Sequence, residues 1–229
     1  MSESLIFTLS GESKKLENTF FPPIELSENK DYVLGLSSFL SFNSIPNVDA
    51  NNNKIHIAGV GDIEIPTGSY EIEDIGRFLT DICKKYGITF TLKANNNTLK
   101  SEIYCDRIIK FVSDNSINKL LGFTAKELEP LKTHISNLPV SILKVNSLRI
   151  ECNITTGAYF NGKKVHTIHS FFPAVPPGYK IIEVPSEVIY LPVTTKKIDY
   201  LKLRIVDQDG DLVNFRNEEV TISLHVKST

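Results

Sequence analysis

The 229-residue chain is 41% hydrophobic and 23% charged, with a formal net charge of −2. That is enough apolar content for a sizeable core, whereas the scattered lysines and arginines form no basic face of the kind that binds a phosphate backbone, which argues against nucleic-acid binding. No apolar run approaches the ~18 residues of a membrane-spanning helix, residues 1–5 lack the basic and apolar regions of a signal peptide, and the three isolated cysteines, Cys83, Cys105 and Cys152, read as buried thiols of a protein made inside the cell and not secreted.

In chain order, residues 3–9 suit a first short strand or arm. Phe20-Phe21-Pro22-Pro23-Ile24-Glu25-Leu26 holds two prolines, which cannot donate to a ladder, so it reads as an extended segment and not as a helix or central strand. Residues 1–27 are therefore expected to be an extended N-terminal arm with Phe20, Phe21, Ile24 and Leu26 as apolar anchors, seated on a neighbour or over the protein's own sheet edge. Residues 31–39 read as a strand with Tyr32, Leu34 and Leu36 on one face. Residues 54–58 and 62–65 are two short strands around a glycine-containing turn.

Ile72, Ile75, Phe78, Leu79 and Ile82 recur at helical spacing, which predicts an amphipathic helix over about 70–86. Ser69 suits its start, and Lys84-Lys85 precede Gly87 at its end. A hairpin over 88–104, a short strand at 107–112 and a short helix from Asn115 to Leu121 follow, so residues 69–123 read as a helix-plus-hairpin insertion. Asn161-Gly162 is the strongest two-residue hairpin signal, joining 152–160 to 164–172. The prolines of 173–177 break the ladder, and 179–184 and 187–193 are further short strands.

The last stretch states the fold most plainly. Leu201, Leu203 and Ile205 alternate with Lys202 and Arg204; Val220, Ile222, Leu224 and Val226 alternate with Thr221, Ser223, His225 and Lys227. Asp209-Gly210 between them predicts that 199–206 and 219–227 form an antiparallel hairpin. Its wet face would then gather Tyr200, Lys202, Arg204 and His225, an aromatic and basic mixture suited to an interface or to plain solvation. The whole chain reads as one all-β domain, 1–229, a single jelly-roll β-sandwich.

No constellation of nucleophile, base and orienter can be assembled, and no cofactor fingerprint or metal motif appears. His166 and His169 would lie on opposite faces of a strand, which is wrong for sharing a metal. Asp207, Asp209 and Asp211 superficially resemble a calcium loop, but the glycine falls at the fourth position and not the sixth. The reading is a non-enzyme without catalytic, cofactor or metal residues, some weak divalent-ion binding at the acidic turn aside.

Four stretches, in order, resemble the penton, or minor capsid, protein of Polinton (Maverick) elements and adintovirus-like viruses. They are Asp31–Phe39; Gly68-Ser69-Tyr70 with the helix after it; Ser116–Phe123, ending Leu-Gly-Phe; and Thr221–Val226, with its Leu-His pair. The family's early tryptophan is absent. The resemblance implies a jelly roll that assembles as a homopentamer, docks to the major capsid protein at capsid vertices and is found in the virion, or a domesticated copy of such a protein. The alternative is a monomeric β-sandwich that binds a ligand or peptide through loops 51–61 and 171–179.

Overall fold

A computed structural model describes residues 3–12, 14–111, 114–142 and 145–229. The chain first lays down β1 (Ser4–Gly11), β2 (Lys15–Glu25) and β3 (Tyr32–Phe42). It then builds β4 (Lys54–Ile57), β5 (Gly61–Glu64), α1 (Ile72–Lys85), β6 (Phe90–Asn95), β7 (Lys100–Cys105), β8 (Ile109–Lys110), β9 (Glu127–Leu128) and β10 (Lys132–Ile135). It ends with β11 (Leu148–Cys152), β12 (Ala158–Phe160), β13 (Lys163–Val165), β14 (Thr167–Phe171), β15 (Lys180–Glu183), β16 (Leu191–Pro192), β17 (Lys197–Val206) and β18 (Val220–Ser228). These elements fall into two compact units, one of residues 1–45 with 145–229, the other of residues 46–144.

The first unit is a two-sheet sandwich. One sheet runs β1-β18-β3-β15, with β16 on the far end of β3; the other runs β14-β11-β17-β2. All these pairings are antiparallel. The first strand thus pairs with the last, the second with the last but one, the third with β15 and β16, and β11 with β14. That nesting is the jelly roll, in which a folded-back ribbon of strands is wrapped into two sheets. The alternation read from the sequence fills its core: Leu201, Leu203 and Ile205 from one sheet meet Leu34, Leu36, Phe39, Ile222, Leu224 and Val226 from the other, all fully or almost fully buried.

The same nesting overturns the expected terminal hairpin. β17 and β18 do not pair; they lie in opposite sheets, because a jelly roll sends its last two strands to different layers. The connection between them turns at Gly210, whose φ is +91°, and then carries Val213 and Phe215 through the core. Asp209-Gly210 does make a turn, but it bridges only Val206 to Leu212. A local turn signal fixes a reversal; it does not fix which strand receives the chain afterwards.

Of the two seats expected for the N-terminal segment, the described residues take the protein's own sheet edges, as full strands. β1 pairs along its whole length with β18, and β2 pairs with β17. Both are edge strands, which is where prolines are tolerated. The proline segment shows as an irregularity: the register passes from Thr19 opposite Tyr200 to Ile24 opposite Ile198.

The second unit begins and ends outside the expected 69–123. Val48, Ile55, Ile57, Ile63 and Ile65 pack with Ile72, Ile75, Leu79 and Phe90 in a core of their own, so β4 and β5 belong to this unit and not to the sandwich. Here α1 lies against β6, the hairpin β6–β7 is present in the expected place, and β8 pairs with both β4 and β9. The helix starts at Glu71, not Ser69: the Glu71 amide donates to the Asp74 carboxylate at 3.1 Å. The short helix expected over 115–121 is a run of turns that includes an α-type bond, Leu121 N–H to Ile117 C=O, 3.1 Å, and stops at Gly122, whose φ is +78°. After this unit the first strand of the sandwich is β11, which begins at Leu148.

Candidate assembly surface

The eight residues expected to form an interface do not share a surface. Of the arm's four anchors, Leu26 is buried in the sandwich core, Phe20 and Ile24 pack against that core, and Phe20 meets Phe7 edge-on at 5.6 Å between ring centroids. Only Phe21 turns outward, at 98% exposure. Tyr200, Lys202 and Arg204 alternate with the buried face of β17, so they lie on the outer face of one sheet. His225, on β18, lies on the outer face of the other.

On the β17 face, charges are paired within the sheet. Lys202 meets Glu17 at 3.0 Å and Arg204 meets Glu151 at 2.9 Å. Lys202 and the Tyr200 hydroxyl hold the Glu17 carboxyl below its ordinary value, because both stabilise the charged form. A face whose charges are already matched offers little that a partner must supply.

On the other sheet, hydroxyls zip β1 to β18: Ser10 to Thr221 at 2.8 Å and Thr8 to Ser223 at 3.1 Å. His225 continues the row, with Nε2 2.7 Å from Ser4 Oγ and Nδ1 2.7 Å from the Tyr190 hydroxyl. Lys227 Nζ sits 3.7 Å over the Tyr190 ring. These contacts pin residues 188–190 over Gly35, where a Cβ would stand 2.4 Å from Val188 Cγ1. The Ser4–His225–Tyr190 chain joins three segments of an open sheet face; it acts as a clasp for the strand ends.

An exposed apolar strip lies elsewhere, around β15. Phe42, Tyr179, Ile182 and Val184 are all exposed there. Pairing puts Ile182 opposite Leu40 and Lys180 opposite Phe42, so Leu40, Phe42 and Ile182 share the outer face there. Residues 175–179 are stitched beside them: Gly178 N–H donates to Asn43 C=O and Asn43 N–H to Tyr179 C=O, both at 2.8 Å, and Asn43 Nδ2 donates to Val175 C=O at 2.7 Å. β15 pairs only with β3, which leaves its second edge unpaired among the described residues. His169 Nε2, 2.9 Å from Glu183 Oε1, ties this edge to β14 of the facing sheet. An apolar face beside an unpaired strand edge is the kind of surface that another chain covers.

The sequence carried a signal for this surface that alternation alone hides. Ile181, Ile182 and Val184 put apolar side chains on both faces of one strand and its end. One face of β15 is core, and the other is this surface.

Nothing gathers around the remaining candidates. His166 Nδ1 is bonded to Thr155 C=O at 2.8 Å and His169 to Glu183. Asp207 spends Oδ1 on the amides of Asp209 and Asp211, at 2.9 Å each. No group of three or more His, Cys, Asp or Glu side chains that could hold a metal occurs among the described residues. All three cysteines are free and buried. Burial pushes the Cys83 and Cys152 thiols up to about 11, so neither is a thiolate at neutral pH. No helix of the described residues is long and apolar enough to cross a membrane.

Strand nesting and core together define an all-β jelly-roll protein with a second unit carried between β3 and β11. No family model and no curated protein matches the sequence. Among solved structures the chain is similar to the mavirus penton protein, at a TM-score of 0.52 and 12% identity over 100% of both chains. The fold is penton-like.

Proposed function

We propose that this chain is a capsid protein of the penton type, from a Polinton- or adintovirus-like element. It closes into a homopentamer and seats against a major capsid protein at the capsid vertex, as a structural part of the virion with no substrate to turn over. The observation that carries the reading is the likeness to the mavirus penton protein across the full length of both chains, at an identity so low that the fold itself is what the two share.

The surface we assign to contact between copies is the apolar strip at β15, in place of the eight residues expected from the sequence. Ile182 at 63% exposure and Val184 at 64% are its centre. Burying such side chains yields about 1.5–3 kcal/mol each, and a ring repeats the contact at every interface. The test is light scattering coupled to size exclusion on the intact protein and on Ile182→Asp/Val184→Asp. The intact protein should run as a closed ring, alone or once capsid protein is added. The double variant should run as a monomer with an unchanged melting temperature. A wild type that stays monomeric at high concentration and never copurifies with capsid shells overturns the penton reading. A ring that survives the double substitution overturns only the choice of surface.

A further inference from the structure

On the outer face of β11, Arg149 breaks the pattern of matched charges. It is 5% exposed, yet it forms no ion pair among the described residues. Its Nε donates to Asp207 C=O at 3.1 Å. The Phe160 ring covers the guanidinium, 4.0 Å from Cζ to centroid. Nη1 is buried and has no hydrogen-bond partner among the described residues. Nη2 lies beside Gly210, 3.6 Å from where a Cβ would stand, and has no hydrogen bond among the described residues. The terminal edge of the guanidinium, the pair of nitrogens that grips an oxyanion with two parallel bonds, therefore has no acceptor among the described residues.

A buried guanidinium nitrogen lacking an acceptor is costly, because its donors have left water and gained no hydrogen bond in return. The surroundings offer it no ion pair among the described residues: Glu151, on the same face of β11, is paired with Arg204. The nearest acidic residue in the turn, Asp207, has Oδ1 committed to two backbone amides, and Asp209 Oδ2 accepts from Gln208 Nε2 at 3.1 Å. They do supply further donors. Ser170 stands directly across the ladder from Arg149. Lys163 and Lys164 lie on the hairpin β12–β13 that carries Phe160, and both are exposed.

That hairpin is also the means of entry. β12 and β13 pair only with each other, over three residues each, as a sheet of two strands. A two-stranded hairpin of this size is marginally stable by itself. A tilt of the hairpin would lift Phe160 from the guanidinium without breaking a pairing of either sandwich sheet.

We propose that Arg149, under the Phe160 hairpin, is a binding site for an oxyanion, a phosphate or a carboxylate, held by Nη1 and Nη2 with Ser170 and Lys163, the ladder partner of Phe160, alongside. The inference does not depend on the penton reading. The test is the melting temperature of the full chain titrated with inorganic phosphate, and separately with acetate, at constant ionic strength made up with chloride. One or both anions should raise the melting temperature saturably, by about five degrees or more at hundredfold excess over Kd. The larger response identifies which of the two sources the site prefers. Arg149→Lys keeps the charge but loses the two-nitrogen edge, and its response should fall several-fold. Arg149→Gln should not respond, while Phe160→Ala should keep the response because only the cover is removed. If Arg149→Gln does not fold, Arg149→Lys and Phe160→Ala carry the comparison. A flat wild-type titration, as an internal water on Nη1 would give, overturns the proposal, and so does an equal response in Arg149→Lys.

Discussion

Gly76 offers a test in which two effects of known size have opposite signs. It lies inside α1, where replacing glycine by alanine normally stabilises by about 1 kcal/mol, since alanine loses less backbone entropy and shields the helix. The glycine is buried against β6, however, and a Cβ there would stand 2.8 Å from Leu92 O and 3.4 Å from Leu92 Cβ. The first distance is shorter than any ordinary carbon–oxygen contact, and the obstacle is backbone held in the β6–β7 ladder, with Leu92 opposite Ile103. Helix and strand must therefore separate by about half an ångström, and overpacking of this kind costs about 1–3 kcal/mol. Gly76→Ala should accordingly destabilise the protein by about 1 kcal/mol net, in spite of its better helix propensity. Urea unfolding followed by circular dichroism at the helix band measures this directly. The control is Lys84→Ala, on the exposed face near the end of the same helix, which should change stability by no more than about half a kcal/mol. If Gly76→Ala raises stability by about 1 kcal/mol, α1 does not press on β6 and the packing described for this unit is wrong.

Other expectations follow from the same geometry. Leu203→Ala should cost about 2–5 kcal/mol by equilibrium unfolding, since Leu203 is fully buried between the two sheets. Deleting residues 1–27 should abolish the cooperative melt of the sandwich, and not merely its assembly, because β1 and β2 are strands of its two sheets; a truncated chain that melts like the intact one would refute that pairing. Lys30, with the Tyr32 hydroxyl, holds the Glu3 carboxyl below its ordinary value. Its stabilisation is therefore complete above the ordinary carboxylate range and lost as pH falls through the lowered value. The melting-temperature gap between wild type and Glu3→Gln should be present at pH 7 and close only in stronger acid. Cys152 should react with a thiol reagent at pH 8 only after unfolding, since burial both hides the thiol and pushes it up to about 11.

The sequence was most legible where period and burial coincide. The alternations at 201–205 and 220–226 identified inward residues correctly, because a strand side chain has only two directions to take. The helix and the Asn161-Gly162 hairpin were legible for a similar reason: φ values of +48° and +77° suit asparagine and glycine locally. What was not legible is what depends on distant residues. Nothing within 207–219 says that the chain will cross the core, and nothing within 48–65 says which of two cores its isoleucines will join. The apolar strip at β15 drew no notice in the sequence because polar character directs attention to Lys202 and Arg204, whose charges are answered inside the sheet. The unpartnered Nη1 of Arg149 is likewise invisible until the fold shows what surrounds it.

The pairing of the first strand with the last has a consequence for how the molecule is made. Ser4 lies opposite Lys227, and Leu5 opposite Val226, so β1 has no ladder partner until residues 220–227 have been synthesised. β2 waits similarly for β17. Residues 46–144 have all their strand partners within their own span and can fold while the ribosome is still at work. The two early strands, β2 with exposed Phe21 among its residues, must stay out of trouble through that interval. Contacts of such long range close slowly. The vulnerable species in this protein's life is thus a nascent chain with a finished middle and two unpaired strands at its head, and that species is the one a chaperone would have to shelter.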